Sequence, residues 1–194
     1  YKQNLSERFL PPGTPGHFFG TDQFGRDLLA RCLYGGQISL LAGLVSVTMA
    51  MVIGIAFGTL SCYYGGKVDN ILMRICDIFQ AVPQMLLCMA IVSALGQGTF
   101  KMLIALAASS FARYARICRA SMLTLKNNEY IEASRSSGAG ALRIIFKHFI
   151  PNGMGPIIVN ATMGLGSTII SIASMGFLGI GVASPTPEWG TILS

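Results

Sequence analysis

The 194-residue sequence predicts an all-α fold that crosses a membrane several times, and three observations carry that prediction. Hydrophobic residues make up 52% of the chain and charged residues only 11%, against roughly 25% charged in an ordinary soluble domain. The mean hydropathy is +0.58. Three stretches, 37–62, 78–100 and 148–187, contain no Asp, Glu, Lys or Arg, and each exceeds the ~20 residues that a helix needs to cross a hydrocarbon core. A shorter apolar run, 102–112, continues at helical spacing through Arg113, Arg116 and Arg119 towards Leu125 and supplies a fourth span.

Taken in order, residues 1–36 hold four basic and three acidic side chains and form a nearly balanced segment ahead of the first span. That span, 37–62, carries Gly54-Ile-Ala-Phe-Gly58, a small-xxx-small pattern that lets backbones approach closely in lipid; packing within the chain is its expected use. Lys67 to Phe79 is amphipathic at helical spacing. Its Val68, Ile71, Leu72, Ile75 and Phe79 suit the inner membrane boundary, and Asp69, Arg74 and Asp77 turn to water or to another protein. The second span, 79–97, contains Pro83 near its start, where a helix can begin or bend without losing an interior hydrogen bond. The third, 102–124, ends in arginines that can snorkel to headgroups or meet a partner. A polar loop, 126–151, separates it from the fourth span, 153–180.

Charge orients these elements. Between 111 and 151 stand seven basic residues (Arg113, Arg116, Arg119, Lys126, Arg135, Arg143 and Lys147) and two acidic ones (Glu129 and Glu132), so the positive-inside rule makes this segment cytoplasmic. Alternation then puts 1–36, 97–101 and the C-terminal tail outside and 61–78 inside. The net charge of +6 does not indicate nucleic acid, because the basic residues lie between spans with no interleaved aromatics. Five cysteines show no CxxC spacing, and His17 and His148 fall on opposite sides of the membrane. Neither a disulfide framework, a metal site nor a hydrolytic triad is legible, and no catalytic residue is assigned.

The fourth span is rich in small polar residues, among them Asn160, Thr162, Ser167, Ser171 and Ser174. Such residues either fill tight helix contacts or line a polar path that lipid does not reach; these five are the candidate translocation residues. The Gly/Pro-broken segment that follows, 177–190, brings Trp189 to the outer interface.

Within the cytoplasmic loop the order Glu132-Ala133-Ser134, then Gly138, then Ile150-Pro151 resembles the EAA motif of permease subunits in bacterial ABC importers. Three further blocks extend the likeness: His17-Phe-Phe-Gly-Thr-Asp-Gln-Phe-Gly-Arg-Asp27, Tyr64-Gly-Gly-Lys-Val-Asp69 with Met73-Arg74 and Asp77, and Phe177-Leu-Gly-Ile-Gly181 with Pro187-Glu-Trp-Gly190. Together they resemble the second permease subunit of the peptide/nickel importer family. The resemblance implies a type I ABC importer permease fold in the bacterial inner membrane, in which a short helix, a turn at Gly138 and a second helix dock in a cleft of a cytoplasmic ATPase. Tyr130, Glu132, Ala133, Ser134, Gly138 and Pro151 are then the coupling residues, with Tyr130, Ile131 and Ala133 offering apolar contact and Arg135, Arg143 and Lys147 charge.

The implied partners are a homologous permease subunit, two cytoplasmic ABC ATPase subunits, an extracytoplasmic substrate-binding protein and membrane lipid. The chain has no Gly-x-x-x-x-Gly-Lys-Ser/Thr loop, so it is expected to bind no cofactor itself and to leave ATP to its partners. Ser134 stands where the motif has a second Ala, and Ser174-Met-Gly-Phe-Leu-Gly lacks the acidic residue common in peptide permeases, which leans the cargo towards nickel or a metal chelate over di- or oligopeptides. Family members carry one more span on each side of this region, so the chain is expected to be part of a longer protein. A secondary transporter or channel not driven by ATP is the alternative. It would place ionisable residues inside its spans, and the three charge-free runs hold none.

Overall fold

A computed structural model describes residues 3–96, 98–181 and 186–193. The expected broken tail therefore falls partly, at 182–185, outside the described residues. Among the described residues eight α-helices follow one another: α1 (Leu28–Tyr64), α2 (Gly66–Ala81), α3 (Gln84–Leu95), α4 (Thr99–Leu125), α5 (Glu129–Ser136), α6 (Ala141–Ile144), α7 (Ile150–Phe177) and α8 (Trp189–Leu193). The described residues contain no strand, only two isolated bridges in the segment before α1.

α1 is 37 residues long, about 55 Å at 1.5 Å per residue, and starts nine residues before the charge-free run. Asp27 supplies the reason: its carboxylate accepts the Ala30 N–H at 2.7 Å and caps the helix. Arg31, which lies ahead of the expected span, is buried with its guanidinium on Asp22 and does not interrupt the helix. Asp22 also accepts from the Phe24 and Arg26 amides and from Arg26 Nε, so one carboxylate gathers the outer segment against the head of α1. Burial by itself would raise its pKa, but the amides of Arg26 and Phe24 and the Arg26 guanidinium outweigh that and hold it below the ordinary 3.8.

The small-xxx-small pair of α1 meets α4. A Cβ on Gly54 would stand 2.5 Å from Tyr114 Cβ, and one on Gly58 2.5 Å from the Ala115 carbonyl oxygen, so only glycine admits this approach. α4 is the axis of the molecule, and three clusters stack along it. Nearest its Thr99 end, the outer end in the expected topology, Met102, Ala105 and Leu106 pack with Cys88, Val92, Ile172 and Met175. Midway, Phe111, Tyr114 and Ala115 pack with Val47, Ala50 and Cys76. At the inner end, Cys118 and Met122 meet Cys62, Ile131, Ile144, Phe149 and Ile157.

Two spans differ from a straight crossing. α2 and α3 meet at 92°, and α3 has only 12 residues, about 18 Å, well short of a ~30 Å core. Val82, forced into the extended region by Pro83, makes the break, so the second span starts at Gln84. The last helical run starts earlier than 153. Ala141–Phe177 is continuous, with a wider turn at Ile145–Phe149 in which the Ile150 N–H reaches the Ile145 carbonyl. That turn admits Pro151 without breaking the helix, and Asn152 Nδ2 donates to the His148 carbonyl at 2.7 Å. By length and composition α1 and Ala141–Phe177 can cross a membrane, and a third crossing results if the bent pair counts as one. α4 has length enough at 27 residues, but its arginines lower its hydropathy.

Candidate coupling loop and translocation face

α5 begins after Asn128 and carries Glu129 and Glu132 in its first turn, where carboxylates favour the positive end of the helix dipole. Ile131 is fully buried among Cys118, Met122, Ile144 and Phe149. The expectation that Ile131 offers a contact surface is thus corrected: it is the anchor that pins α5 to the inner end of the bundle. Tyr130 is 40% exposed and Glu132 and Ala133 are exposed, so these three form the free face. Ser134 is half-buried, with Oγ 3.4 Å from His148 Nε2, and the Tyr130 and His148 rings lie 5.9 Å apart. Arg135 sits over the Tyr63 ring at 5.6 Å, tying α5 to the end of α1 as well.

α5 ends in a glycine turn. Gly138 has φ +78, its N–H donates to the Arg135 carbonyl at 2.9 Å, and the Ala139 N–H donates to that of Ser134 at 3.1 Å. Pro151 is exposed in the first turn of α7, beyond the wide turn that carries His148. His148 is the residue that sequence reasoning missed. From the wide turn it meets both Ser134 and Tyr130, a packing role that its position in the sequence does not specify.

The arginines of α4 find partners within the chain. Arg119 holds Asp69 through two nitrogens, with Nε at 2.6 Å, Ser61 donates to the same carboxylate, and Arg116 Nη2 meets Asp77 at 2.5 Å. Asp69 therefore turns to α4, whereas Asp77 stays exposed while it pairs with Arg116, and Val68 and Ile71 of α2 are exposed as well. Lys126 Nζ donates to the Cys62 carbonyl at 2.7 Å and closes the C-terminal end of α1.

On α7 the candidate path residues divide. At about 100° per residue, Asn160, Ser167, Ser171 and Ser174 fall within a stripe roughly 60° wide, and Thr162 points about 200° away from it. Each donates to a carbonyl three or four residues back: Asn160 to Pro156, Ser167 to Gly164, Ser171 to Ser167, Ser174 to Ile170 and Thr162 to Ile158. The hydroxyl donors are satisfied, so the stripe presents hydroxyl lone pairs together with the Asn160 amide, one of whose N–H groups goes to Pro156. Beyond α7, Glu188 is fully buried, with Oε1 3.3 Å from Ser39 Oγ and Oε2 accepting the Thr191 N–H at 3.2 Å. Trp189 Nε1 donates to the Cys32 carbonyl at 3.0 Å, so the tail is docked on α1.

Residues 50–194 match the family described as binding-protein-dependent transport system inner membrane component. The chain is 42% identical over its whole length to the dipeptide transport system permease protein DppC of Haemophilus influenzae, covering 67% of that protein. It is 44% identical over 96% of its length to the di/tripeptide transport system permease protein DppC of Pseudomonas aeruginosa, covering 61% of it. The chain thus spans about two thirds or less of the length of these relatives. Among solved structures, one of the inward-facing MetNI methionine ABC transporter superposes with a TM-score of 0.70 at 22% identity, over 85% of this chain and 79% of that one, which supports the fold. Three quarters of the sequence matched, with C-type peptide permeases as relatives, places the chain in the family of binding-protein-dependent transport system inner membrane components.

Proposed function

We propose that the chain forms the core of the second permease subunit of an ATP-driven importer of short peptides in the bacterial inner membrane. The observation that carries this reading is the exposed Tyr130-Glu132-Ala133 face on a helix whose other side is locked down by Ile131 and His148. A helix gripped on one face and rigid on the other transmits displacement. Closure of two ATPase subunits, which bind the ATP, shifts α5; Ile131 and Phe149 pass that shift to Met122 of α4 and to Ile157 of α7. A homologous permease subunit completes the pathway, which the Asn160 to Ser174 stripe of α7 lines from this side, and an extracytoplasmic binding protein delivers cargo.

The cargo reading rests on the relatives, whose names specify dipeptides and di- or tripeptides. They favour peptides over the nickel or metal-chelate cargo suggested by the missing acidic residue before Phe177. The test uses the full-length subunit with its partners, carrying Glu132→Lys or Gly138→Pro. Dipeptide uptake and ATPase co-purification are expected to be lost while membrane insertion persists. Normal uptake with the ATPase bound overturns the coupling assignment, and ATP-driven uptake of a nickel chelate without that of dipeptide overturns the cargo.

A further inference from the structure

Arg113 is the arginine of α4 that the α2–α4 ion pairs leave over. Arg116 and Arg119 each hold an aspartate, whereas Arg113 meets no carboxylate among the described residues; its hydrogen bond goes from Nη2 to Gln84 Oε1 at 3.4 Å. Gln84 in turn donates from Nε2 to Ser110 Oγ at 3.4 Å, nearly one turn closer to the outer end of α4. The guanidinium is therefore held against Gln84 at the start of α3, beside the break between α2 and α3. Although its charge counts with the cytoplasmic segment, Arg113 lies 14 residues beyond Thr99, about 21 Å along the helix, so with Thr99 at the outer boundary it sits within a ~30 Å hydrocarbon core, and the cytoplasmic stretch begins after it. An exposed cation at that depth is costly unless the site it occupies uses it.

The site is a cleft of about 280 Å³ where the α2–α3 span breaks, bounded by Gln80, Pro83, Gln84, Ser109 and Arg113. α3 starts on its wall, with no side chain capping its first turn. Phe79, Val82 and Pro83 give this space an apolar wall, and its polar groups are two amides, one hydroxyl and one cation, with no carboxylate among the lining residues. We infer that this cleft is a transit subsite for the C-terminal carboxylate of the peptide cargo, with Arg113 as its charge contact and Gln84 holding the guanidinium in place. The inference rests on the peptide reading given above. Every short peptide carries that carboxylate whatever its side chains, so one fixed arginine serves a cargo of varied sequence.

The test is ATP-driven uptake of dialanine by the complete complex in proteoliposomes, with the wild-type subunit, Arg113→Gln and Arg113→Lys. Arg113→Gln is expected to lower uptake about tenfold, the loss of one charge-assisted hydrogen bond, and Arg113→Lys to keep roughly half, with all partners co-purifying in both. Undiminished uptake by Arg113→Gln, or an equal loss in both variants, overturns the inference. Loss of the homologous subunit from the Arg113→Gln complex also overturns it and assigns the guanidinium to a subunit contact. A wild-type complex that takes up no dialanine refutes the peptide reading itself, and this inference with it.

Discussion

Replacing Ile131 with alanine separates the anchor of the coupling loop from its contact face. The side chain is fully buried between the inner ends of α1, α4 and α7, and the 8-residue α5 has no other residue in that cluster. Truncating a buried isoleucine removes three carbons and leaves a cavity, at a cost of about 2–5 kcal/mol. Because α5 is short and otherwise exposed, that loss falls on its docking and not on the bundle, where Gly54 and Gly58 still hold α1 to α4. The undocked fraction should rise between about thirtyfold and about five thousandfold. Hydrogen exchange of the 129–139 amides in the full-length protein measures this directly, with peptides from α1 and α4 as internal controls. Exchange should accelerate in the loop alone, and dipeptide uptake should fall while Tyr130, Glu132 and Ala133 remain unaltered. Wild-type exchange in the loop, or equal acceleration throughout α4, would refute the claim that Ile131 pins α5 locally.

Two further outcomes follow from the packing and the outer segment. Gly58→Leu should abolish stable accumulation of the protein, since its first carbon alone would lie 2.5 Å from the Ala115 carbonyl and overpacking costs at least about 1–3 kcal/mol; thermal stability in detergent equal to wild type would show that α1 does not ride on α4 there. Asp22 has a depressed pKa in the fold, so its stabilisation is present above the unfolded value of 3.8 and is lost as the pH falls through the folded one. Protection of the 20–28 amides, corrected for intrinsic exchange, should be constant between about pH 5 and pH 8 and collapse only in stronger acid; unchanged protection at about pH 2 would contradict that role.

The long charge-free runs, the basic loop between them and the order of the motif residues are properties of composition and spacing, and they were legible without coordinates. A helix needs only apolar length to cross lipid, so 37–62 reappears inside α1, and 153–180 reappears in α7 except for its last three residues. Spacing says nothing of which face of a short helix is gripped. Ile131 and Tyr130 are adjacent and both apolar, yet packing against Met122 and Phe149 buries the first and leaves the second half-exposed. The first span is expected to start at 37, but α1 starts at Leu28, and a counter-ion nine residues earlier in the chain lets the helix include Arg31. The same holds along α4, where three evenly spaced arginines are equivalent in sequence. Only the path of α2, turned by Pro83, brings Asp69 and Asp77 to two of them and leaves Arg113 facing a cleft. Local rules govern the formation of helices; the pairing of charges in a low-dielectric interior depends on distances that the whole fold sets.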